Sequence, residues 1–211
     1  MKQRVYDLKG LGSTQRVVVA LVEPNVSVLE IGCATGYVTR HLKENMGCAV
    51  TAVEVNEESA EQARPYANRL IVGDIERSET WEQIRGPFDY AMCGDVLEHL
   101  TDPWEVLRRV RTVLSPNGYV VASIPNIAYY KVRKQLLLGR FEYAEHGLLD
   151  RTHLRFFTRK SALALFEDAG FNVLKITRAF RAKTDRRLWR FWPNGFTYHY
   201  AIKASPARRE V

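Results

Sequence analysis

The chain has 211 residues, of which 46% are hydrophobic and 26% charged, and it carries a formal net charge of +7 at pH 7. These values are those of an ordinary globular protein, and no apolar run approaches the roughly 20 residues that a membrane-spanning helix requires. The length is sufficient for one sizeable core and leaves little room for a second, so we expect a single domain over residues 1–211.

The N-terminus and the cysteines bear on the cellular compartment. Residues Met1 to Lys9 mix charged with single apolar side chains and lack the apolar core of a signal peptide, so a cytoplasmic protein is expected. Cys33, Cys48 and Cys93 show neither C-x-x-C spacing nor an even count. We interpret them as small buried residues.

The first predicted elements surround a glycine-containing loop. A helix is predicted over 13–22, with Ser13 or Thr14 as its N-cap, followed by a strand over 27–31 and an amphipathic helix over 37–46. The loop between that strand and the second helix contains Gly32 and Gly36, which let the backbone bend sharply and let a ligand approach closely. A strand, a tight turn and a helix start in this order predict a cofactor-binding loop.

The spacing in this loop distinguishes two cofactor classes. A dinucleotide fingerprint needs G-x-G-x-x-G, but here the second position is Ala34 and the third is the bulky Tyr37, which argues against a phosphate-crowded turn. The pattern Glu30-x-Gly32-x-x-x-Gly36 instead resembles the first motif of class I S-adenosylmethionine-dependent methyltransferases, in which a glycine usually takes the place of Ala34.

The next two strands end in further acids. Ala49 to Val53 forms a β-branched run that ends at Glu54, and a carboxylate at this position can accept hydrogen bonds from both hydroxyls of a cofactor ribose. A third run, 69–72, leads to Asp74 and Ile75. The family resemblance implies that Asp74 accepts from the adenine amino group and that Ile75 packs on the ring; ordinary turn chemistry is the alternative for Gly73-Asp74.

A fourth strand over 88–93, a helix that starts after Asp102 and a fifth strand over 119–124 continue the alternation. Such alternation predicts an α/β fold with a doubly wound parallel sheet that is covered on both faces. Ligands of these sheets bind at the carboxyl ends of the strands. The glycine loop, Glu54, Asp74, Gly94 and Asp95 all fall at that edge and are the candidate cofactor-binding residues.

Three later segments make the resemblance more specific. They are Gly94 to Leu100, Ser123 to Asn126, and Gly147 to Thr158. They are similar to a branch of class I enzymes that is often found among bacterial genes for surface polysaccharides and that is related to the quinone O-methyltransferases. The resemblance implies a Rossmann-like methyltransferase fold with a seven-stranded, mostly parallel sheet, whose last strands, here 172–177 and 196–204, pair antiparallel at one edge. A helix over 160–169, capped by Thr158, precedes them.

The loop after the fourth strand contains candidate metal ligands or catalytic groups. Asp95, Glu98 and His99 are spaced so that one helical turn would point them the same way, and two carboxylates with an imidazole can bind a divalent ion. The motif is similar to the metal site of small-RNA 2′-O-methyltransferases and quinone-pathway O-methyltransferases. That resemblance implies Mg²⁺ or Mn²⁺ bound by these residues and by His153.

Two alternatives remain for the same residues. His99 or His153 can act as a general base on a hydroxyl without a metal, beside Asp95 as a further catalytic candidate. Glu98 and His99 can also simply orient the loop while its apolar neighbours fill the core.

The chain then inserts residues 127–157 before the sheet resumes. A helix ended by Gly139 is predicted in its first part, and the rest is rich in charged and aromatic residues. We interpret this insertion as a cover over the acceptor site that holds His146, Asp150, Arg151 and His153. A packing loop, with Asp150 and Arg151 as a structural ion pair, is the alternative.

Basic residues crowd the last part of the chain. Between 178 and 194 they alternate with aromatic residues, a pattern shared by nucleic-acid-binding segments, anionic membrane surfaces and dimer surfaces. A solvated face is the remaining interpretation. The basic residues are Lys175, Arg178, Arg181, Lys183, Arg186, Arg187, Arg190, Lys203, Arg208 and Arg209.

The sequence therefore predicts an S-adenosylmethionine-dependent methyltransferase that acts on an oxygen of a small-molecule or glycan-linked acceptor. One alternative is an RNA ribose 2′-O-methyltransferase that uses a divalent metal, which the net charge favours. A non-catalytic S-adenosylmethionine-binding partner protein is a second alternative. A hydride-transferring oxidoreductase is disfavoured by Tyr37.

Overall fold

The computed structural model describes residues 11–207 and contains one seven-stranded sheet. The predicted segment Met1 to Lys9 and the basic residues Arg208 and Arg209 lie outside the described residues. The strands are β1 Ser27–Ile31, β2 Ala49–Glu54, β3 Arg69–Val72, β4 Phe88–Gly94, β5 Leu114–Pro125, β6 Phe171–Ala179 and β7 His199–Pro206.

The order of the strands across the sheet is β3-β2-β1-β4-β5-β7-β6. The first five strands pair in parallel, whereas β7 pairs antiparallel with both β5 and β6. The prediction of a doubly wound, mostly parallel sheet with an antiparallel pair at one edge is confirmed. Because these parallel strands run in the same direction, the carboxyl ends of β1, β2, β3 and β4 lie at the same edge of the sheet.

Nine α-helices occur among the described residues. They are α1 Ser13–Val19, α2 Tyr37–Met46, α3 Glu57–Ala63, α4 Ser78–Trp81, α5 Pro103–Val113, α6 Tyr130–Leu137, α7 Arg159–Asp168, α8 Lys183–Leu188 and α9 Pro193–Phe196. Short 3₁₀ helices cover Arg64–Tyr66 and Leu97–His99. None of the helices within 11–207 has the length and apolarity that crossing a bilayer demands.

Several helix boundaries follow from local chemistry. The Asp102 side chain accepts from the Glu105 backbone N–H, and Pro103 occupies the first helical position of α5, as predicted. Thr158 and Ser161 form a capping box at α7. The predicted cap of α1 is wrong: Gly12 is the N-cap, and Ser13 and Thr14 lie inside the helix.

Other boundaries also differ from the predictions. The strand β5 begins at Leu114, before the predicted range 119–124, because its first residue pairs with Phe88 on β4. The helix α3 ends at Ala63, and the chain continues as a 3₁₀ turn that contains Pro65. The segment 178–194, for which no elements were predicted, contains α8 and the start of α9.

The two faces of the sheet bury two core clusters, which places helices on both sides. Leu29, Ile31 and Ala122 belong to the cluster that packs against α5 and α7, and Val28, Val50 and Val121 belong to the cluster on the α1 and α2 side. The three cysteines are buried free thiols, as predicted. A third, smaller cluster centres on Tyr129 and links α6 to the segment 148–149.

Candidate active site

The loop between β1 and α2 is held against the end of β2. Backbone N–H groups of Gly32 and Cys33 donate to the Val53 carbonyl at 2.8 and 3.2 Å. Gly32 and Gly36 have φ angles of 72° and 78°, and a Cβ on Gly36 would lie 2.6 Å from the Ala63 Cα atom. Both glycines are thus required by conformation, and Gly36 also by the close approach of α3.

Glu54 lies directly beside this loop. One carboxylate oxygen accepts from the Ala34 backbone N–H at 2.8 Å, and the other accepts from the Asn56 backbone N–H at 2.9 Å. These bonds fix the carboxylate at the carboxyl edge of the sheet. Each oxygen retains a lone pair that can accept from a ligand hydroxyl.

Glu30 lies beneath the loop and is 3% exposed. Its carboxyl accepts from the Thr39 hydroxyl at 2.7 Å. Burial, which outweighs this hydrogen bond, together with the nearby charge of Glu54, raises the pKa of Glu30 from 4.5 to about 8. Burial therefore favours the protonated, uncharged form of Glu30, which packs beneath the glycine loop.

Asp74 and Ile75 lie at the end of β3. Asp74 is partly exposed and accepts from the Glu76 backbone N–H at 2.9 Å, whereas Ile75 is 6% exposed and belongs to the core. Trp81 donates from its indole N–H to the Ile75 carbonyl at 2.6 Å. Asp74 is thus accessible at the predicted edge, while the Ile75 side chain already packs on protein.

A cavity of about 590 Å³ opens at the same edge. Its volume suits a small molecule. It is lined from the glycine loop by Gly32 and Ala34, and from the end of β4 by Gly94 and Asp95. Its other walls come from α1 and from the segment 145–153: Thr14, Gln15, Glu145, His146, Gly147, Asp150, Arg151, Thr152 and His153. Glu98, His99, Tyr37, Tyr198 and His199 complete the lining.

Asp95 adopts a left-handed backbone conformation with φ 56°. Its backbone N–H donates to the Ser123 hydroxyl at 2.9 Å, and the same hydroxyl donates to the Asp95 carboxylate at 2.7 Å. His199 Nε2 lies 3.6 Å from the same carboxylate oxygen. Such a conformation is uncommon outside glycine and persists here because two neighbouring strands hold the side chain.

Glu98, His99 and His153 form a compact group, in which one potential ligand atom from each lies within 4.8 Å of the others. The loop geometry differs from the single helical turn that was predicted, because Asp95 precedes the 3₁₀ helix Leu97–His99 and is not part of this group. His153 is brought in because the backbone N–H groups of Leu154 and Arg155 both donate to the Glu98 carbonyl, at 2.8 and 2.9 Å.

The hydrogen bonds of both imidazoles fix the same tautomer. His99 Nδ1 lies 3.1 Å from the Thr152 carbonyl and 3.1 Å from the Thr152 hydroxyl, which itself donates to Asp150. His153 Nδ1 lies 3.3 Å from the Leu148 carbonyl. Since these oxygens accept, Nδ1 carries the hydrogen in each ring, and Nε2 of the neutral imidazole presents a lone pair.

Glu98 and the two imidazoles bring together the donor atoms of a potential cation site. Glu98 is 1% exposed, and one of its carboxylate oxygens is buried without a hydrogen-bond partner among the described residues. Burial and the charge of Asp95 raise the pKa of Glu98 well above its usual value. Burial and the neighbouring His99 lower the pKa of His153. The donor set therefore fits a divalent ion.

Sequence reasoning missed several lining residues. His199 is 9% exposed, and its Nδ1 has no hydrogen-bond partner in the part of the chain that the structure describes. Burial, which outweighs the nearby Asp95 charge, lowers the pKa of His199. Thr14 and Gln15 enter from α1, and no motif marks them.

Comparison with known proteins gives a consistent family. A family model described as a methyltransferase domain matches residues 12–176. The ubiquinone biosynthesis O-methyltransferase of Caulobacter vibrioides is 31% identical over 134 residues, which are 61% of this chain and 51% of that protein. The enzyme of the same name from Azotobacter vinelandii is 28% identical over 170 residues, 75% of this chain and 73% of its own. The chain thus spans about half the length of the Caulobacter relative.

Solved structures show the same fold. An S-adenosylmethionine-dependent methyltransferase from Archaeoglobus fulgidus superposes with a TM-score of 0.69 at 18% identity, covering 90% of each chain. One from Mesorhizobium loti gives a TM-score of 0.64 at 16% identity and covers 94% of this chain and 99% of that one. At these identities the likeness concerns the architecture.

Proposed function

Because the chain belongs to the methyltransferase domain family, we propose that it transfers a methyl group from S-adenosylmethionine to an oxygen of a small-molecule or glycan-linked acceptor. A single observation carries this proposal: two features lie side by side at one edge of the sheet. One is the glycine loop with Glu54, and the other is a cavity lined by imidazoles and carboxylates. The first part suits the cofactor, and the second suits a hydroxyl that must lose its proton.

Residues of the glycine loop and of the neighbouring strand ends each bind a different part of the cofactor. Gly32 and Gly36 allow close approach of the ligand to the backbone, Glu54 accepts from the ribose hydroxyls, and Asp74 accepts from the adenine amino group. Gly94 and Asp95 border the sulfonium end. When bound, the cofactor would supply an electrophilic methyl, whose bond to sulfur would break as the acceptor oxygen bonds to it, with S-adenosylhomocysteine as the leaving group. Holding the two reactants in near-attack geometry supplies most of the acceleration.

His99 and His153 serve the acceptor. In each, Nδ1 lies against a backbone carbonyl, which leaves the Nε2 lone pair to take the proton of an acceptor hydroxyl. Alternatively, all three hold a divalent ion that lowers the pKa of a bound hydroxyl. The donor set is one carboxylate and two imidazoles, and each imidazole donates its N–H to a protein oxygen. Because Mg²⁺ prefers oxygen ligands, this set suits Mn²⁺ better.

The cofactor site is tested by calorimetric titration with S-adenosylhomocysteine. Glu54→Gln removes the charge but keeps the shape, and because hydrogen bonds to a charged group contribute about 1.5–3 kcal/mol, the dissociation constant should rise about tenfold or more. Glu58→Gln, an equal charge change on the exposed start of α3, is the matched control. Absence of binding by the unmodified protein would refute the proposed function.

The role of the histidine group is tested by methyl transfer to a panel of phenolic, catecholic and sugar hydroxyl acceptors. If a metal is used, a chelator should abolish turnover and Mn²⁺ should restore it. Because Glu98 would be a direct ligand, Glu98→Gln should weaken Mn²⁺ binding at least about tenfold. If His99 is a simple base, turnover should survive the chelator and be lost in His99→Ala. Chelator-resistant turnover by His99→Ala would refute both roles.

A further inference from the structure

Exposed apolar side chains gather on one side of the molecule, on α6, on α8 and on the turn into α9. Leu137 is 87% exposed and Phe191 is 85% exposed, which is unusual for side chains of this size. Their neighbours Leu136, Leu138, Leu188 and Trp192 are between 42% and 60% exposed. We call this surface, together with the basic residues named below, the basic apolar face.

Contacts between the two segments show that they form one surface. The Tyr129 hydroxyl donates to the Asp185 carboxylate at 2.7 Å, which joins the start of α6 to α8. The Arg133 guanidinium lies 5.0 Å from the centroid of the Trp192 ring. Leu137 lies one helical turn beyond Arg133 and hence on the same side of α6. The exposed leucines thus extend the surface that Trp192 and Phe191 begin.

The charge of the basic apolar face is strongly one-sided. Its segments, 127–141 and 178–196, contain a single carboxylate, Asp185, which is 2% exposed and bonded to Tyr129. None of the salt bridges within residues 11–207 involves a basic residue of these segments. The exposed basic residues are Lys131, Arg133, Lys134, Arg140, Arg181, Lys183, Arg186, Arg187 and Arg190.

The combination of charge and apolar surface selects one kind of partner. A second copy of the chain would bring two uncompensated positive surfaces together, which is repulsive. Single-stranded RNA is bound by basic and aromatic side chains, but it gives no role to three consecutive exposed leucines. An anionic lipid surface satisfies both, because its headgroups attract the cations and its acyl boundary accepts leucine, phenylalanine and tryptophan.

We propose that the basic apolar face docks peripherally on an anionic lipid surface, with Leu137 and Phe191 entering the boundary between headgroups and acyl chains. The cations around them, among them Arg186 and Arg187, remain at the level of the headgroups. The proposal is independent of methyl transfer and does not involve any residue assigned to the cofactor or the acceptor.

The test is cosedimentation of the full chain with vesicles made of phosphatidylcholine and phosphatidylglycerol in equal parts, beside vesicles of phosphatidylcholine alone. Binding is expected only with phosphatidylglycerol and should decline as salt is added. Arg186→Gln with Arg187→Gln should lower the affinity for these vesicles at least about tenfold, because each cation near such a surface raises the affinity about fivefold. Leu137→Gln with Phe191→Gln should weaken it by about tenfold or more.

Matched controls lie elsewhere on the surface. Arg69→Gln with Arg85→Gln makes the same charge change on exposed residues around β3 and β4, and Leu174→Gln alters an exposed leucine on β6. These variants should bind vesicles as the unmodified chain does. S-adenosylhomocysteine titration of every variant verifies folding, so a failed cofactor site and a failed lipid surface give separate readouts.

Three outcomes would overturn the proposal. The first is the absence of binding to phosphatidylglycerol vesicles at low salt. The second is equal binding by the Leu137 and Phe191 double variant and by the unmodified chain. The third is that the chain binds a single-stranded RNA oligonucleotide but no vesicles, and that the Arg186 and Arg187 double variant loses this RNA binding. That result would assign the basic apolar face to RNA.

Discussion

At the scale of single residues, the site depends on groups whose ionisation is altered by burial. Glu30 has its pKa raised to about 8, so the folded protein holds a proton there that the unfolded chain releases near 4.5. Between pH 4.5 and about 8 the folded state binds more protons than the unfolded chain. The contribution of Glu30 to the free energy of unfolding is therefore fully present below pH 4.5 and is lost as the pH rises toward about 8. A carboxylic acid at the base of the glycine loop therefore makes the free energy of unfolding fall from mildly acidic pH to about pH 8.

Glu30→Gln should remove this dependence. Glutamine keeps an acceptor for the Thr39 hydroxyl but has no proton to lose. The free energy of unfolding of the unmodified chain should fall by up to about 1.4 kcal/mol per pH unit within that window, and the variant should show a flatter profile. Chemical denaturation at a series of pH values measures both, with the exposed Glu58→Gln as control. An equal slope in both proteins would show that Glu30 ionises normally.

Which single residues could be predicted depends on how local their determinants are. The glycine loop and Glu54 were predicted because their order along one strand-turn-helix-strand unit brings them together. The contact between Asp95 and His199 was not, because it depends on the pairing of Pro125 with His199 across β5 and β7 and on a left-handed residue after β4. No spacing in the sequence encodes a pair formed by residues more than a hundred positions apart.

At the scale of secondary-structure elements, α6 and α8 are joined by one buried polar contact. The Tyr129 hydroxyl donates to Asp185, whose carboxylate also accepts from the Ala182 backbone N–H at 3.3 Å. Tyr129 is 1% exposed, and its ring contacts Tyr130 and Tyr198 edge to face. The position of α8 thus depends on a hydroxyl that belongs to another element.

Tyr129→Phe should lower the free energy of unfolding by about 1–3 kcal/mol, because it leaves a buried carboxylate without its nearest donor. Urea denaturation measures the loss. Tyr143→Phe, which removes a hydroxyl from an exposed side chain, is the control. A stability equal to that of the unmodified chain would mean that Asp185 finds a replacement donor, and that α8 does not depend on this contact.

The elements α8 and α9 escaped prediction for a related reason. The segment 178–196 has no regular apolar period, because its basic and aromatic residues are interspersed, and Trp192 and Phe196 contact side chains of α6. By contrast, α2 and α5 carry clear amphipathic patterns and their own termination or capping signals. Helices with local signals can be predicted from the sequence, whereas helices that depend on tertiary contacts cannot.

At the scale of the whole molecule, we expect resistance to local unfolding to be highest in the central strands of the sheet and lower at its edges. The strands β1, β4 and β5 each lie between two neighbours, while β3 and β6 are the edges. The alternation of strands and helices was enough to predict the doubly wound sheet, because parallel strands require crossover helices on both faces. The antiparallel pairing of the last two strands at one edge was expected only from the family resemblance, and the position of β7 between β5 and β6 was not predicted.

Hydrogen exchange should follow this arrangement. Backbone amides in 28–31, 91–93 and 121–124 are expected to exchange slowest, near the limit set by global unfolding, and those of α6 and α8 to exchange faster. Mass spectrometry of peptic fragments after deuterium labelling resolves these segments. Protection of 183–192 equal to that of β4 would show that the basic apolar face belongs to the cooperative core.

The place of β7 has a consequence for how the protein matures on the ribosome. This strand is translated after β5 and β6, yet it lies between them and carries His199 to the wall of the cavity. A nascent chain whose residues up to 206 have not yet left the exit tunnel has a glycine loop and Glu54 but an incomplete acceptor wall. Under the proposed function, cofactor capture therefore does not require β7, whereas turnover does.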